Sequence, residues 1–366
     1  MKRILTIFGT RPEAIKLAPV ILEVQKHLDR FESLVCVTAQ HREMLDQVLE
    51  WFQIVPHYDL NLMRPNQGLA EFASLALRAA SDLLKEVRPD VVLVQGDTTT
   101  AMIAALSAFY QRIPVGHVEA GLRTRDRYNP FPEEINRRIA GALTTFHFAP
   151  TAQAADALRA EQVPEENIFI TGNTVVDALL MTVQRPVNLD LDFSLDGRRL
   201  ILVTAHRRES FGAPFESLCS ALRDIAERNA EVEIVYPVHL NPNVRDPVMR
   251  ILADHPRIHL LNPLRYEQFV HLMAMAHFIL TDSGGIQEEA PVLGKPVLIM
   301  RETTERPEAI EAGTARLVGT DRERIVAEAE RLLHNEEEYR TMAHAGSPFG
   351  DGRAAERIAN ILLAKL

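Results

Sequence analysis

Short apolar runs, each followed by a stretch with helical spacing, are the strongest constraint on what this chain can fold into. In the first half the runs are Ile4–Phe8, Leu34–Thr38, Val91–Gln95, Val115–Val118, Phe146–Ala149 and Ile168–Thr171. Helical stretches such as Ala14–His27, Arg42–Phe52, Glu71–Val87 and Thr98–Tyr110 lie between them. The rhythm restarts in the second half with Leu200–Val203, Glu233–Pro237, Ile258–Leu261, Phe278–Thr281, Val297–Met300 and Ala315–Val318. Strands that are apolar throughout, rather than alternating, are buried on both faces, which predicts parallel sheets covered by helices. A chain of 366 residues also exceeds what one hydrophobic core usually serves. The expected fold is therefore α/β, with two Rossmann-like domains in tandem. The boundary falls between Thr171 and Arg199, where "QRPVNLDLDFSLDGRR" is polar, contains proline and has no clear period. This gives domains over 1–171 and 172–352, with Arg353–Leu366 as a final amphipathic helix.

Charge and cysteine usage remove several function classes. The net charge is −10, from 40 basic and 50 acidic residues. A general nucleic-acid or anionic-membrane binder needs a basic face, so neither is expected, although a local pocket for one anion remains open. The two cysteines, Cys36 and Cys219, are far apart and form no CxxC pair, which suits a reducing compartment. The first apolar stretch, Ile4–Phe8, is too short for a signal peptide, and no run reaches the ~18 apolar residues of a membrane helix. A soluble cytoplasmic protein is expected.

Ligands of open parallel sheets bind beyond the carboxyl ends of the strands, so each strand–helix junction is a candidate site. "FGTRPEAIK" places Arg11 and Lys16 near a helix N-terminus, where free N–H groups attract anions. "VQGDTTTAM" places Asp97 at a strand end, where an aspartate is also a favoured helix cap. "GHVEAGLRT" presents Glu119 between glycines, where capping has little use for it, and "NPFPEEINRR" opens a helix with Glu133 and Glu134. Three carboxylates at junctions of one sheet suit proton transfer better than any one of them does alone. In the second half, "LVTAHRRESFG" crowds a histidine, two arginines and a glutamate onto a strand end. "TDSGGIQEEAP" sets the small turn Ser283, Gly284, Gly285 ahead of a helix, where main-chain amides can approach a phosphate. An acid one turn on, Glu288 or Glu289, is placed for ribose hydroxyls. No GxGxxG follows the first strand, so a nicotinamide dinucleotide loses its main support. The 13 histidines form neither HExxH nor a Cys/His knuckle, and no metal is expected.

From end to end the chain resembles the non-hydrolysing UDP-N-acetylglucosamine 2-epimerases. The resemblance is carried by "GTRPEAIK", "TAQHREMLDQVL", "QGDTTT", "GHVEAGLRT", "PFPEEINRR", "TGNTVVDAL", "HRRESFG", "YPVHLNP", "TDSGGIQEEAP", "RETTERPEA" and "FGDGRAAERI". It implies the GT-B arrangement, two Rossmann-like domains with the active site in the cleft and a C-terminal helix returning to the first domain. It further implies a homodimer that interconverts UDP-GlcNAc and UDP-ManNAc without metal or nicotinamide, supplying ManNAc for surface polysaccharide. Catalytic roles are implied for Asp97, Glu119, Glu133 and His206. Nucleotide contacts are implied for Arg11, Lys16, Ser283, Gly284, Gly285 and Glu289, with Glu289 on the ribose and a uracil pocket around Tyr266 and Phe269. Some members are also activated by UDP-GlcNAc at a second site, whose matching positions are Gln40, His41, Gln67, Arg207 and His239. Where some of those members carry a basic residue, this chain has Asn66. The alternatives are an epimerase of a related UDP-2-acetamido sugar and a GT-B glycosyltransferase, which need not carry all three carboxylates.

Overall fold

The computed structural model describes residues 1–38, 42–64 and 67–366. Two compact units are present, one formed by Met1–Leu180 with Phe349–Leu366 and the other by Met181–Pro348. The first is built on seven parallel strands: β1 (Lys2–Phe8), β2 (Phe31–Val37), β3 (Tyr58–Asp59), β4 (Val91–Gln95), β5 (Val115–Val118), β6 (Phe146–Ala149) and β7 (Ile168–Ile170). The second is built on six: β8 (Arg199–Thr204), β9 (Val232–Pro237), β10 (Ile258–Leu261), β11 (Phe278–Thr281), β12 (Val297–Ile299) and β13 (Ala315–Leu317). Both sheets are parallel α/β layers covered by helices, as their continuous apolar runs require.

Strand order locates the place where a ligand can enter. It runs β3-β2-β1-β4-β5-β6-β7 in the first sheet and β10-β9-β8-β11-β12-β13 in the second. In each, the chain winds outward one way from its first strand and then returns to wind the other way. The order reverses between β1 and β4, and between β8 and β11. Helices after these strand pairs leave toward opposite faces, and a crevice opens at their carboxyl ends. The junctions after β1, β4, β8 and β11 are those that carry Arg11, Asp97, His206 and Ser283.

The core explains why the strands form where they do. Ile4, Leu5, Ile7 and Phe8 on β1 are fully buried, as are Ile201, Leu202 and Val203 on β8. Cys36 and Cys219 are buried free thiols, and burial pushes both up to about 12. β3 carries no apolar run: it is a two-residue edge pairing of Tyr58 and Asp59 with Cys36 and Val37. Among the described residues no helix is long and apolar enough to cross a membrane.

The last helix, Ala354–Lys365, packs on the helix Arg11–Val24 within the first unit. Asp177, almost fully buried, fixes its start: the carboxylate accepts the N–H groups of Ala354 (3.2 Å) and Ala355 (2.9 Å). Helix N-terminal N–H groups have no partner of their own, and this side chain supplies one from a distant helix. Replacing Asp177 with Ala is expected to cost about 1–3 kcal/mol. Urea denaturation reads that loss, and limited proteolysis should cut the released C-terminal segment first; an unchanged midpoint would refute the role.

Candidate active site

The turn after β1 is shaped by a carboxylate that no solvent reaches. Glu13 is 1% exposed and accepts N–H groups from Gly9 (3.0 Å) and Thr10 (2.8 Å). Its other oxygen accepts the Thr98 hydroxyl (2.6 Å) from the turn after β4. Burial pushes the Glu13 carboxyl above its ordinary range, and these hydrogen bonds oppose that push. The clasp ties both turns of the reversal point together. Arg11, half-buried, opens the helix that Glu13 anchors.

Thr98 also decides what Asp97 does. Its hydroxyl accepts the Ala101 N–H (3.0 Å) and caps the helix Thr99–Tyr110, so the Asp97 side chain is not the cap. The Asp97 carboxylate instead meets the Arg137 guanidinium, and its carbonyl accepts from the Asn136 side chain (3.0 Å). Arg137 is itself flanked by buried Glu134 at 3.5 Å. Glu133, half-buried, sits beside Glu134 in the first turn of the helix Glu133–Leu143. The segment before it contains cis Asn129–Pro130 and Phe131–Pro132 peptides.

Glu119 follows β5 with φ +66°, a left-handed backbone that costs a non-glycine residue energy. Its side chain receives Lys16 and Gln95, and the Asn173 amide at 3.2 Å. Gly121, two residues on, is also left-handed, and a Cβ there would lie 2.2 Å from the Ala154 carbonyl oxygen. The loop is thus held closely against its neighbour just after Glu119. Lys16 and Glu119 are largely buried together, with side chains 15% and 7% exposed. The first unit therefore brings Lys16, Asp97 and Glu119 to neighbouring strand ends, each carboxylate with its own cation.

In the second unit the corresponding junctions converge on Asp282, which is 1% exposed at the end of β11. One of its oxygens accepts the main-chain N–H groups of both His206 (2.6 Å) and Arg207 (2.7 Å). The His206 side chain is 43% exposed and stacks on His239, with centroids 5.5 Å apart and planes at 15°. Its pKa lies below the ordinary histidine value. Burial is the main cause, with His239 and Arg207 adding to it and Asp282 opposing. The open part of the ring limits that depression.

Ser283 donates its N–H to Thr281 Oγ1 (2.9 Å) and precedes the short helix Gly284–Glu289. Gln287 donates to the Ser283 carbonyl (3.1 Å) and accepts from Thr304 (2.5 Å), pinning the turn. A Cβ on Gly284 would lie 3.7 Å from Glu305 and 3.8 Å from Arg207, whose guanidinium pairs with Glu305 at 3.8 Å. Arg301 joins Glu305 to Glu209, and Arg306 pairs with Glu288. Gly285 is half-buried and Glu289 is 8% exposed at the end of the helix. Buried Tyr266 and half-buried Phe269 lie in the first turns of the helix Tyr266–Met275, which packs on β8 and on the turn Ala290–Leu293 that follows Glu289. Gln67 accepts the Arg64 N–H (3.3 Å), while Gln40 and His41 fall outside the described residues. Among the described residues no group of three or more His, Cys, Asp or Glu could hold a metal ion.

Several of these groups escape sequence reading. Gln95, Arg137, Asn173 and Asp282 lie inside quoted motifs yet read as strand ends or helix faces. The usable signal for Gln95 and Asp282 is a polar residue at, or just past, the end of an otherwise apolar strand.

The chain matches the family model described as UDP-N-acetylglucosamine 2-epimerase over residues 23–363. It is 58% identical over 369 aligned positions to the UDP-N-acetylglucosamine 2-epimerase of Salmonella typhimurium, with 98% of each chain covered. It superposes with TM-score 0.91 on the UDP-GlcNAc 2-epimerase of Neisseria meningitidis bound to UDP-GlcNAc, at 48% identity, covering 99% of this chain and 100% of that one. The Methanocaldococcus jannaschii enzyme in complex with UDP-GlcNAc and UDP gives TM-score 0.82 at 33% identity, with 100% of both chains covered.

His117, on β5, makes the carboxylate layer sensitive to acid. Its Nε2–H donates to the Gly96 carbonyl (2.7 Å), in the turn that carries Asp97, and its Nδ1 is buried without a partner. A second proton would be buried unsatisfied, and burial holds the pKa down to about 3. Unfolded histidine takes up a proton below about 6.5, and native His117 does not until about 3. Its contribution is therefore intact above pH 6.5 and lost progressively as pH falls toward 3. Between pH 7 and pH 5 the loss is about 2 kcal/mol. Urea unfolding should show the wild type losing about that much more than His117→Gln over this interval, and parallel losses would refute the assignment.

Proposed function

The chain belongs to the UDP-N-acetylglucosamine 2-epimerase family and epimerises UDP-GlcNAc at C2, and from that premise we propose which residues carry the reaction. The hydrogen at C2 has no adjacent carbonyl and is not acidic. Breaking the C1–O bond first sends its electron pair to UDP and leaves oxocarbenium character at C1. A base then takes the C2 proton, the C–H pair becomes the C1–C2 double bond, and a glycal forms. Protonation of C2 from the other face, with UDP adding back at C1, inverts only C2. The reaction needs acid–base groups for the sugar and fixed positive groups and dipoles for the departing diphosphate.

Asp97, Glu119 and Glu133 are the acid–base set, with Arg137 and Lys16 holding the first two. His206, Arg11, the Ser283 side chain and the amides of Gly284 and Gly285 serve the diphosphate, Glu289 the ribose, and Tyr266 and Phe269 the uracil. The observation that carries the assignment is the division between Asp97 and Thr98. The threonine caps the helix, and among the described residues the partner of the aspartate side chain is its cation.

We propose further that UDP-GlcNAc also activates the enzyme, through Gln67, Arg207 and His239 together with Gln40 and His41. Buried, unpaired Cys36 and Cys219 favour a cytoplasmic setting. Exposed Leu69, Leu75, Phe109 and Tyr110, on the mutually packed helices Leu69–Val87 and Thr99–Tyr110, favour a homodimer formed through that face. Sedimentation at micromolar concentration should give twice the chain mass; a monomer would refute it.

Incubation with UDP-GlcNAc in deuterated water tests the chemistry. Deuterium should enter C2 of both epimers, and its absence would refute elimination and re-addition. Asp97→Asn is expected to lower turnover by about 10²–10⁴-fold while leaving UDP binding within a few-fold.

A further inference from the structure

Asp282 does more than close a turn. An ionised carboxylate can accept at about four lone-pair sites, and a buried one left short of donors is costly. Here one oxygen takes both main-chain N–H groups of His206 and Arg207, while the other, Oδ1, is buried with no hydrogen-bond partner. It lies 3.7 Å from His206 Nδ1. The other polar groups nearby are engaged elsewhere. The Tyr236 hydroxyl donates to the Ala205 carbonyl (2.6 Å), and the Thr204 and Thr281 hydroxyls bond each other (2.5 Å). His239 Nδ1 accepts the Asn241 N–H (3.1 Å), and the Arg207 guanidinium is turned to Glu305. The imidazole of His206, with Nδ1 at 3.7 Å, is a donor within a small rotation of Oδ1.

We propose that Asp282 is a positioning residue for His206. It selects the tautomer with the proton on Nδ1, presents Nε2 to the ligand side, and holds the imidazolium when Nε2 gains a proton. This rests on the role given to His206 above. Three charged or titratable neighbours face the ring. His239 and Arg207 disfavour its protonation, and Asp282 alone favours it. The same carboxylate fixes the backbone through two N–H bonds and the ring through Nδ1, so position and charge of the imidazole are set together.

Nuclear magnetic resonance of histidine-labelled full-length protein tests this without substrate. In the wild type His206 should carry its proton on Nδ1 above its pKa; a predominant Nε2–H form would overturn the proposal, whatever any variant does. In Asp282→Asn the His206 midpoint should move to lower pH and the Nδ1–H preference should fall. An unchanged midpoint and tautomer in a variant with wild-type circular dichroism would also overturn it. Turnover should fall about tenfold or more in Asp282→Asn, with the acid limb of the kcat profile shifted the same way as the midpoint. The substitution should add little when made on top of His206→Asn, and additive losses would show that Asp282 acts elsewhere. If His206→Asn alone retains full turnover, the catalytic role of His206 fails, while the resonance data still decide the link to Asp282.

Discussion

Two buried carboxylates hold the points on which both sheets depend. At the reversal between β1 and β4, Glu13 gathers two N–H groups from one turn and a hydroxyl from the other. At the reversal between β8 and β11, Asp282 reaches from one strand end and gathers two N–H groups from the other. A reversal of strand order leaves two turns parting toward opposite faces, with main-chain donors that no sheet or helix can satisfy. A carboxylate supplies strong acceptors at that gap. Taking the N–H partners away from a buried carboxylate costs several kcal/mol, so the turns are held tightly. Each clasp thereby fixes the main chain next to candidate reactive groups: Arg11 and Asp97 in one unit, His206 and Arg207 in the other.

The cations follow from this arrangement. Asp97 and Glu119 stand at adjacent strand ends, in the same strand-end layer as buried Glu13. Further uncompensated carboxylates there would repel one another in a poorly solvated place. Arg137 and Lys16 answer this, and each comes from a helix face rather than from the strand-end loops. The pairs do two jobs at once. They offset the charge, and they hold each carboxylate in one orientation, as proton transfer requires. A change at Lys16 or Arg137 therefore acts on stability and on positioning together.

The layers were legible from sequence because a strand buried on both faces must be apolar at nearly every position. β1 and β8 announce themselves in that way, and two-residue β3 has no room to do so. The junctions were legible as places, less so as geometry. "GDTTT" offers an aspartate and a threonine as adjacent candidate caps, and composition cannot choose between them. The choice rests on the Thr98 hydroxyl, which caps the helix and meets Glu13 across 85 residues of chain. Lys16 and Glu119 are 103 residues apart, and nothing local to either names the other. Asp282 hides for a different reason: before Ser-Gly-Gly an aspartate reads as an ordinary turn former.

A chain with a net charge of −10 must still hold a nucleotide diphosphate, and its cations are largely committed. Lys16 faces Glu119, Arg207 faces Glu305, Arg301 faces two glutamates and Arg306 faces Glu288. An anion arriving beside such pairs meets charge that is already partly neutralised, so attraction by side-chain cations is reduced. Main-chain N–H groups such as those of Gly284 and Gly285, beyond the Ser283 N–H that Thr281 holds, do not share this weakness. The turn Ser283–Gly285, with room where Gly284 has no Cβ, therefore suits the diphosphate better than a cluster of lysines would. It also suits elimination followed by re-addition. Fixed dipoles stabilise the charge that grows as C1–O breaks without rearranging, and they remain in place for the return step.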